Sequence, residues 1–144
     1  MSFPVVPEPR TRTPLGLALL ARGAVALAWC LIRLPPGRLR RVLAACARGA
    51  RPATEDQALR SRRAVVSVSR RCAGQGCLQR SVATVLLCRV RGHWPDWCTG
   101  VRTQPFRAHA WVEVDRRPVG ESDNVRLFRT LLRVPAPTAH RRDV

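Results

Sequence analysis

The sequence predicts an α+β fold in which amino-terminal helices precede a small antiparallel sheet. Three observations carry this. Leu39, Val42, Leu43 and Cys46 recur at helical spacing. Thr54-Glu55-Asp56-Gln57 has the pattern of a capping box, with Thr54 as N-cap and Gln57 at N3. From Pro95 onward, strand-like runs are separated by turn signals at Gln104-Pro105 and Asp115-Arg116-Arg117. At 144 residues this is one domain with a modest core, and no internal repeat is visible.

In order, residues 1–14 carry four prolines and little to bury, which predicts an extended arm. Residues 15–53 form an apolar helical hairpin. Its first half, Leu15–Leu34, approaches the length of a membrane span, and Ala26-Leu27-Ala28 mimics a signal-peptidase site. Arg22 interrupts it, and a charge at a helix centre costs about 2.5–3.5 kcal/mol on insertion scales. A core or partner-facing helix is therefore expected, with a peripheral membrane contact as the alternative. Pro35-Pro36-Gly37 makes a turn, and the amphipathic helix that follows ends near Gly49.

Residues 54–134 form the larger remaining part of the domain. A third helix runs from Thr54 towards Arg70, although Ala64-Val65-Val66-Ser67-Val68 has strand propensity. Cys72 to Gly76 is a small-residue loop. A helix beginning at or just before Cys77 buries Leu78, Val82, Val85, Leu86 and Val90, with Gly92 past its end. Strands are expected over 95–102 and 108–114, and a helical or irregular piece over 124–134. Residues 135–144 are a mobile, Pro- and Arg-rich tail.

All 26 basic residues are arginine, against 9 acidic ones. The arginines are dispersed, without an aromatic platform or nucleic-acid motif, so no nucleic acid is expected as partner; the charge suits acidic partners such as an acidic peptide. Most of the six cysteines lie in apolar helical or strand patterns, as free buried thiols do, which fits a cytoplasmic location.

Among these thiols Cys77 has a distinct setting: two nearby glycines precede it and a helical pattern follows. A helix N-terminus lowers thiol pKa and so favours the nucleophilic thiolate. His109 lies on a strand between Ala108 and Ala110, with Trp111 two residues on and therefore on the same face. Glu121, twelve residues beyond His109 and across a turn, is the candidate orienting acid, with Asp115 and Asp123 as alternatives, because hairpin length decides which shares the histidine's face. Cys77, His109 and Glu121 thus stand in the order nucleophile, base, carboxylate.

That order resembles papain-like and transglutaminase-like thiol enzymes. More narrowly, Cys77-Leu78-Gln79-Arg80-Ser81 with Arg91-Gly92, and Pro105-Phe106-Arg107-Ala108-His109-Ala110-Trp111-Val112-Glu113 continuing to Pro118-Val119-Gly120-Glu121, resemble the stand-alone leader peptidase of lasso-peptide biosynthesis. The resemblance covers roughly Thr54 to Leu132. It implies a cysteine protease acting on a ribosomally made precursor peptide, with Cys77 as nucleophile, His109 as base and Glu121 where the family usually has Asp. Arg116 stands where the family commonly has Gly. It further implies a small leader-binding partner, a separate cyclase, and no cofactor. The oxyanion would be held by the Cys77 amide and a second donor, with Gln75 as candidate.

Three other classes compete. A zinc site from Cys72, Cys77, Cys88, His93 and Cys98 lacks the short Cys-x2–4-Cys pairs of such sites. An Arg-rich nucleic-acid-binding or membrane-peripheral adaptor would use the charge and the first helix without catalysis. Transglutaminase or amidase chemistry would use the same triad with another acyl acceptor.

Overall fold

The computed structural model describes residues 7–9 and 11–138. Its first helix, α1 (Leu15–Leu31), starts directly after Pro14, and the second, α2 (Pro36–Ala47), starts on a proline. A proline at the first helical position loses no intrahelical bond, so Pro36 opens the helix rather than ending one. The reversal therefore occupies 32–35, and Gly37, expected in the turn, is helical.

α1 buries its small face: Ala21, Ala24 and Ala28 are buried while Leu15, Leu19, Leu20 and Leu27 are exposed. The alanines bring its backbone close enough for Gln79 Nε2 to donate to the Val25 carbonyl at 3.2 Å. Trp29 lies between the guanidinium groups of Arg33 and Arg71, at 4.7 and 4.6 Å. Among the described residues no helix is long and apolar enough to cross a membrane.

After a two-residue strand, β1 (Arg51–Pro52), α3 runs over Glu55–Val68. Both capping-box bonds are made: Thr54 Oγ1 accepts from the Gln57 N–H at 3.2 Å, and Gln57 Oε1 from the Thr54 N–H at 2.9 Å. The β-branched run 64–68 stays helical because Ala64, Val65 and Val66 are buried there, and packing overrides propensity. A single-turn helix, α4 (Arg70–Ala73), occupies part of the expected loop.

α5 (Cys77–Val90) is the central rod. Every residue from Gln79 to Cys88 is buried, so it is enclosed on all sides rather than amphipathic, and Val90, expected inside, is exposed. Two of its buried hydroxyls are satisfied: Thr84 donates to the Arg80 carbonyl, and Ser81 accepts from Trp97 Nε1; Gln79 Oε1 is buried without a partner among the described residues.

β2 (His93–Trp94) pairs in parallel with β1. The main sheet holds β3 (Asp96–Thr103), β4 (Phe106–Val114), β5 (Arg117–Pro118) and β6 (Arg129–Val134), in the antiparallel order β5-β4-β3-β6. A 3₁₀ turn, Asp123–Leu127, precedes β6. The carboxy-terminal half of the segment expected to be helical or irregular is thus an edge strand, held by pairing with β3 that Arg129-Thr130-Leu131-Leu132-Arg133-Val134 does not announce by composition. Trp97, Val112 and Val134 join the main core with α5, while Cys98, Trp111 and Val125 form a small cluster capped by Phe128.

The β4–β5 turn is two residues long, with Asp115 at φ 51° and Arg116 at φ 63°. Both central residues are left-handed, as in a type I′ turn. Of the predicted arm and tail, residues 1–6, 10 and 139–144 lie outside the described residues. Within them, Glu8 N–H donates to the Ala73 carbonyl and Ala136 N–H to Asp96.

A left-handed non-glycine residue costs roughly 1–2 kcal/mol, more than the entropy of roughly 0.5–1 kcal/mol that glycine adds to the unfolded chain. Arg116→Gly is therefore expected to raise unfolding free energy by about 0.5 kcal/mol, read as a higher urea midpoint at unchanged m-value.

Candidate active site

The loop before α5 fixes where its first side chain emerges. Gly76, the N-cap, has φ −78° and ψ 51°, and the Cys77 N–H bonds the Gln75 carbonyl at 2.9 Å, an inverse γ-turn. A Cβ on Gly76 would stand 2.7 Å from the Arg71 carbonyl oxygen, so the close approach of this loop to α4 requires glycine. No side chain caps α5, and the positive end of the helix is left to Cys77.

Cys77 is half-buried and lies beside the His109 imidazole and the backbone of Ala110, both of which act on its acidity. His109 comes from β4. Its Nε2 lies 2.9 Å from Glu121 Oε2. A carboxylate only accepts, so Nε2 carries the proton and Nδ1 is the nitrogen left for sulfur. The ring stacks on Trp111, with centroids 5.9 Å apart and planes 14° apart, and Phe128 approaches to 5.5 Å. Trp111 is tied by its Nε1 to Glu113 at 2.8 Å, which steadies the stack.

Glu121 reaches the histidine because the two-residue turn is short and Gly120, at φ 67°, bends the chain back. A Cβ there would meet the Arg62 side chain at 2.8 Å. Behind the carboxylate lie two buried guanidinium groups: Arg62 Nη2 at 3.6 Å and Arg80 Nη2 at 3.7 Å from Oε1. Arg80 also donates to the Cys72 carbonyl at 3.1 Å. Arg62 is held on its far side by Glu8, two bonds at 2.6 Å in a bidentate pair. The amino-terminal segment therefore completes the charge cluster behind the site.

These contacts set the acidity of the pair. Burial pushes the Cys77 thiol up, but the His109 and Ala110 hydrogen bonds and the positive charges of His109 and Arg80 outweigh it, and its pKa is lowered. Burial alone would lower His109; the bonds to Cys77 and Glu121 and their negative charges raise it to about 9. Both shifts favour a thiolate–imidazolium pair at neutral pH. By contrast, burial raises the thiols of Cys72, Cys88 and Cys98, the last two to about 11 and about 12.

The structure thus brings Cys77, His109 and Glu121 together. Asp115 sits in the exposed hairpin turn and Asp123 is exposed at the start of the 3₁₀ turn, so neither faces the histidine. The expected oxyanion donors need correction: the Cys77 amide is already bonded to the Gln75 carbonyl, and Gln75 is exposed. The zinc candidates do not converge. His93 bonds Gln57 at 3.0 Å, and among the described residues no group of three or more His, Cys, Asp or Glu could hold a metal. Glu8, Arg62 and Arg80 escape sequence reasoning. Arg80, three residues after Cys77 and thus near it on the helix, carried the only local signal; Glu8 and Arg62 become neighbours only through the fold.

Two cavities flank the imidazole. One, of about 440 Å³, is lined by Cys77 and His109 together with apolar side chains. The other, of about 520 Å³, holds His109 and Glu121 with Arg102, Arg107 and Asn124.

Against known families, the model described as the transglutaminase-like superfamily matches residues 21–133. No curated protein and no solved structure matches the chain.

Alkylation by a neutral reagent needs only the Cys77 thiolate, so its rate is expected to climb with pH in a range below that of an ordinary thiol, because the imidazolium held by Glu121 stands beside the sulfur. In Glu121→Gln, which removes the charge that holds that imidazolium, this limb is expected at higher pH, with the rate at neutral pH down about 10- to 100-fold for the loss of one charge-assisted bond. Glu8→Gln should move the limb in the same direction by less, because Arg62 then pulls on Glu121 alone. Rates of Cys77 alkylation by iodoacetamide between pH 5 and 10 check both shifts.

Proposed function

We propose that this chain, which belongs to the transglutaminase-like superfamily, is a cysteine peptidase that removes the leader from a ribosomally synthesised lasso-peptide precursor. The superfamily includes cysteine peptidases and acyltransferases. The observation that carries the proposal is the convergence of Cys77, at the uncapped end of α5, with His109 in one cavity, and the His109–Glu121 hydrogen bond at 2.9 Å.

In the proposed reaction, the Cys77 thiolate attacks the carbonyl at the leader–core junction and a C–S bond forms. The developing oxyanion lies at the positive end of α5, where the first-turn amides of Leu78 and Gln79 have no side-chain cap. His109 gives its Nδ1 proton to the departing amine of the core as the C–N bond breaks. Water then attacks the thioester; His109 takes its proton, the leader leaves as a carboxylic acid, and the thiol–imidazole pair is restored. Through all steps Glu121 holds Nε2–H and so keeps the other nitrogen facing sulfur. Glutamate in place of the usual aspartate is accommodated because Arg62 and Arg80 draw its second oxygen back.

The freed α-amine is what a separate cyclase needs, and a small leader-binding protein presents the substrate. An arginine-rich surface attracts an acidic leader segment. Both partners and a cytoplasmic setting belong to this proposal, as does the absence of a cofactor.

The test incubates the precursor and its leader-binding protein with wild-type, Cys77→Ala and His109→Ala protein. Wild type is expected to yield separate leader and core by mass spectrometry, and both variants to lose at least about 1,000-fold in rate. Unchanged processing by either variant would falsify the thiol mechanism. A leader-to-amine adduct in place of the free acid would make the chain an acyltransferase on the same residues.

A further inference from the structure

We infer that the acyl half of the substrate carries a bulky, uncharged apolar side chain within the two residues before the scissile bond, and that the helical hairpin α1–α2 supplies one wall of the site that reads it. The inference rests on the thiol-peptidase assignment above and goes further, to substrate class. An acyl group bonded to Cys77 Sγ must occupy the cavity that this sulfur lines. That cavity, of about 440 Å³, runs between the α1–α2 connection, through Ile32 and Leu34, and the strand face carrying Thr99 and Ala110. Leu131 of the edge strand stands at its rim, 60% exposed.

Three features give the cavity its chemistry. First, among the described residues no arginine, aspartate or glutamate lines it; its titratable groups are Cys77 and His109 themselves. A charged side chain entering it would lose water without gaining a partner. Second, Trp97 closes the inner end of the strand floor, and most of the rest of it, Thr99, Gly100, Ala108 and Ala110, is small, which leaves width for a large apolar side chain. Third, the cavity on the other side of His109 carries the charged side chains Arg102, Arg107 and Glu121 among the apolar Pro105, Val125 and Phe128. The imidazole therefore stands between a cavity with no other charged side chain and one that holds three, and Cys77 lines the former. This also gives residues 32–34 a role that their sequence, an apolar helix end running into two prolines, does not suggest.

The experiment needs no natural substrate. Acetylated dileucyl, diglutamyl and diarginyl chloromethyl ketones present an acyl-side dipeptide, and Cys77 displaces chloride from the carbon next to the ketone. Each is incubated with full-length wild-type protein, and alkylation of Cys77 is followed by intact mass and normalised to iodoacetamide. The dileucyl probe is expected to react about 10- to 100-fold faster than either charged one. In Leu131→Glu, which places a carboxylate at the exposed rim without burying it in the core, the dileucyl rate should fall about tenfold and the diarginyl rate should overtake it. Equal rates for the three probes, a faster charged probe on wild type, or iodoacetamide labelling without peptide labelling would each overturn the inference and leave the thiolate intact. Failure of iodoacetamide itself at neutral pH would remove the thiol assignment and this inference with it.

Discussion

A single carboxylate, Glu121, is pulled from two sides, and the geometry of the whole site depends on that balance. One oxygen takes the His109 N–H at 2.9 Å; the other faces Arg62 and Arg80 at 3.6 and 3.7 Å. The arginines come from α3 and α5, the histidine from β4, and the counter-charge on Arg62 from Glu8 in the amino-terminal segment. Four separate parts of the chain thus meet at one buried cluster. Breaking such a buried pair leaves an uncompensated charge and typically costs about 3–5 kcal/mol, so the cluster fixes where these elements can sit relative to one another. Two arginines against two glutamates leave the cluster near neutrality, and the thiolate and imidazolium then form a pair without net charge of their own.

That arrangement explains how an enclosed site keeps a reactive sulfur. Burial works against charge on both Cys77 and His109, as it does on Cys72, Cys88 and Cys98. The difference lies in what surrounds each group. Cys77 alone among those shifted thiols has a helix end, a donor from Ala110 and a protonated ring beside it, and the ring is kept protonated by a carboxylate that cannot move away. Trp111 and Phe128 close the outer side of that ring and limit the water that would screen these charges.

Much of this was written locally and could be read. The capping box at Thr54, the helix beginning at Cys77, the hairpin around Asp115 and the face shared by His109 and Trp111 all follow from spacing of two or three to seven residues. What escaped was non-local. β6 owes its conformation to pairing with β3 some thirty residues earlier in the chain, and its own sequence alternates poorly. The β-branched run in α3 was misleading because burial against α5 decides its state. α1 hid its packing in the opposite way: its largest side chains advertise a core that its alanines provide. Glu121 could be named but not secured, since the length of the hairpin loop sets which acid returns to the histidine, and two left-handed residues, one of them an arginine, make that loop shorter than composition suggests. The Cys77 amide, which the resemblance offers to the oxyanion, is taken by the γ-turn at Gly76.

The enclosure of α5 has an evolutionary corollary. A nucleophile mounted on a rod packed from Gln79 to Cys88 has no freedom to drift, and almost any substitution along that rod disturbs the core. The α1–α2 connection, only partly buried, and the exposed rim residue Leu131 carry less of that burden. Diversification among relatives of this chain should therefore be concentrated in those two borders, so that new peptide preferences arise by re-tailoring the cleft while the sulfur stays where it is.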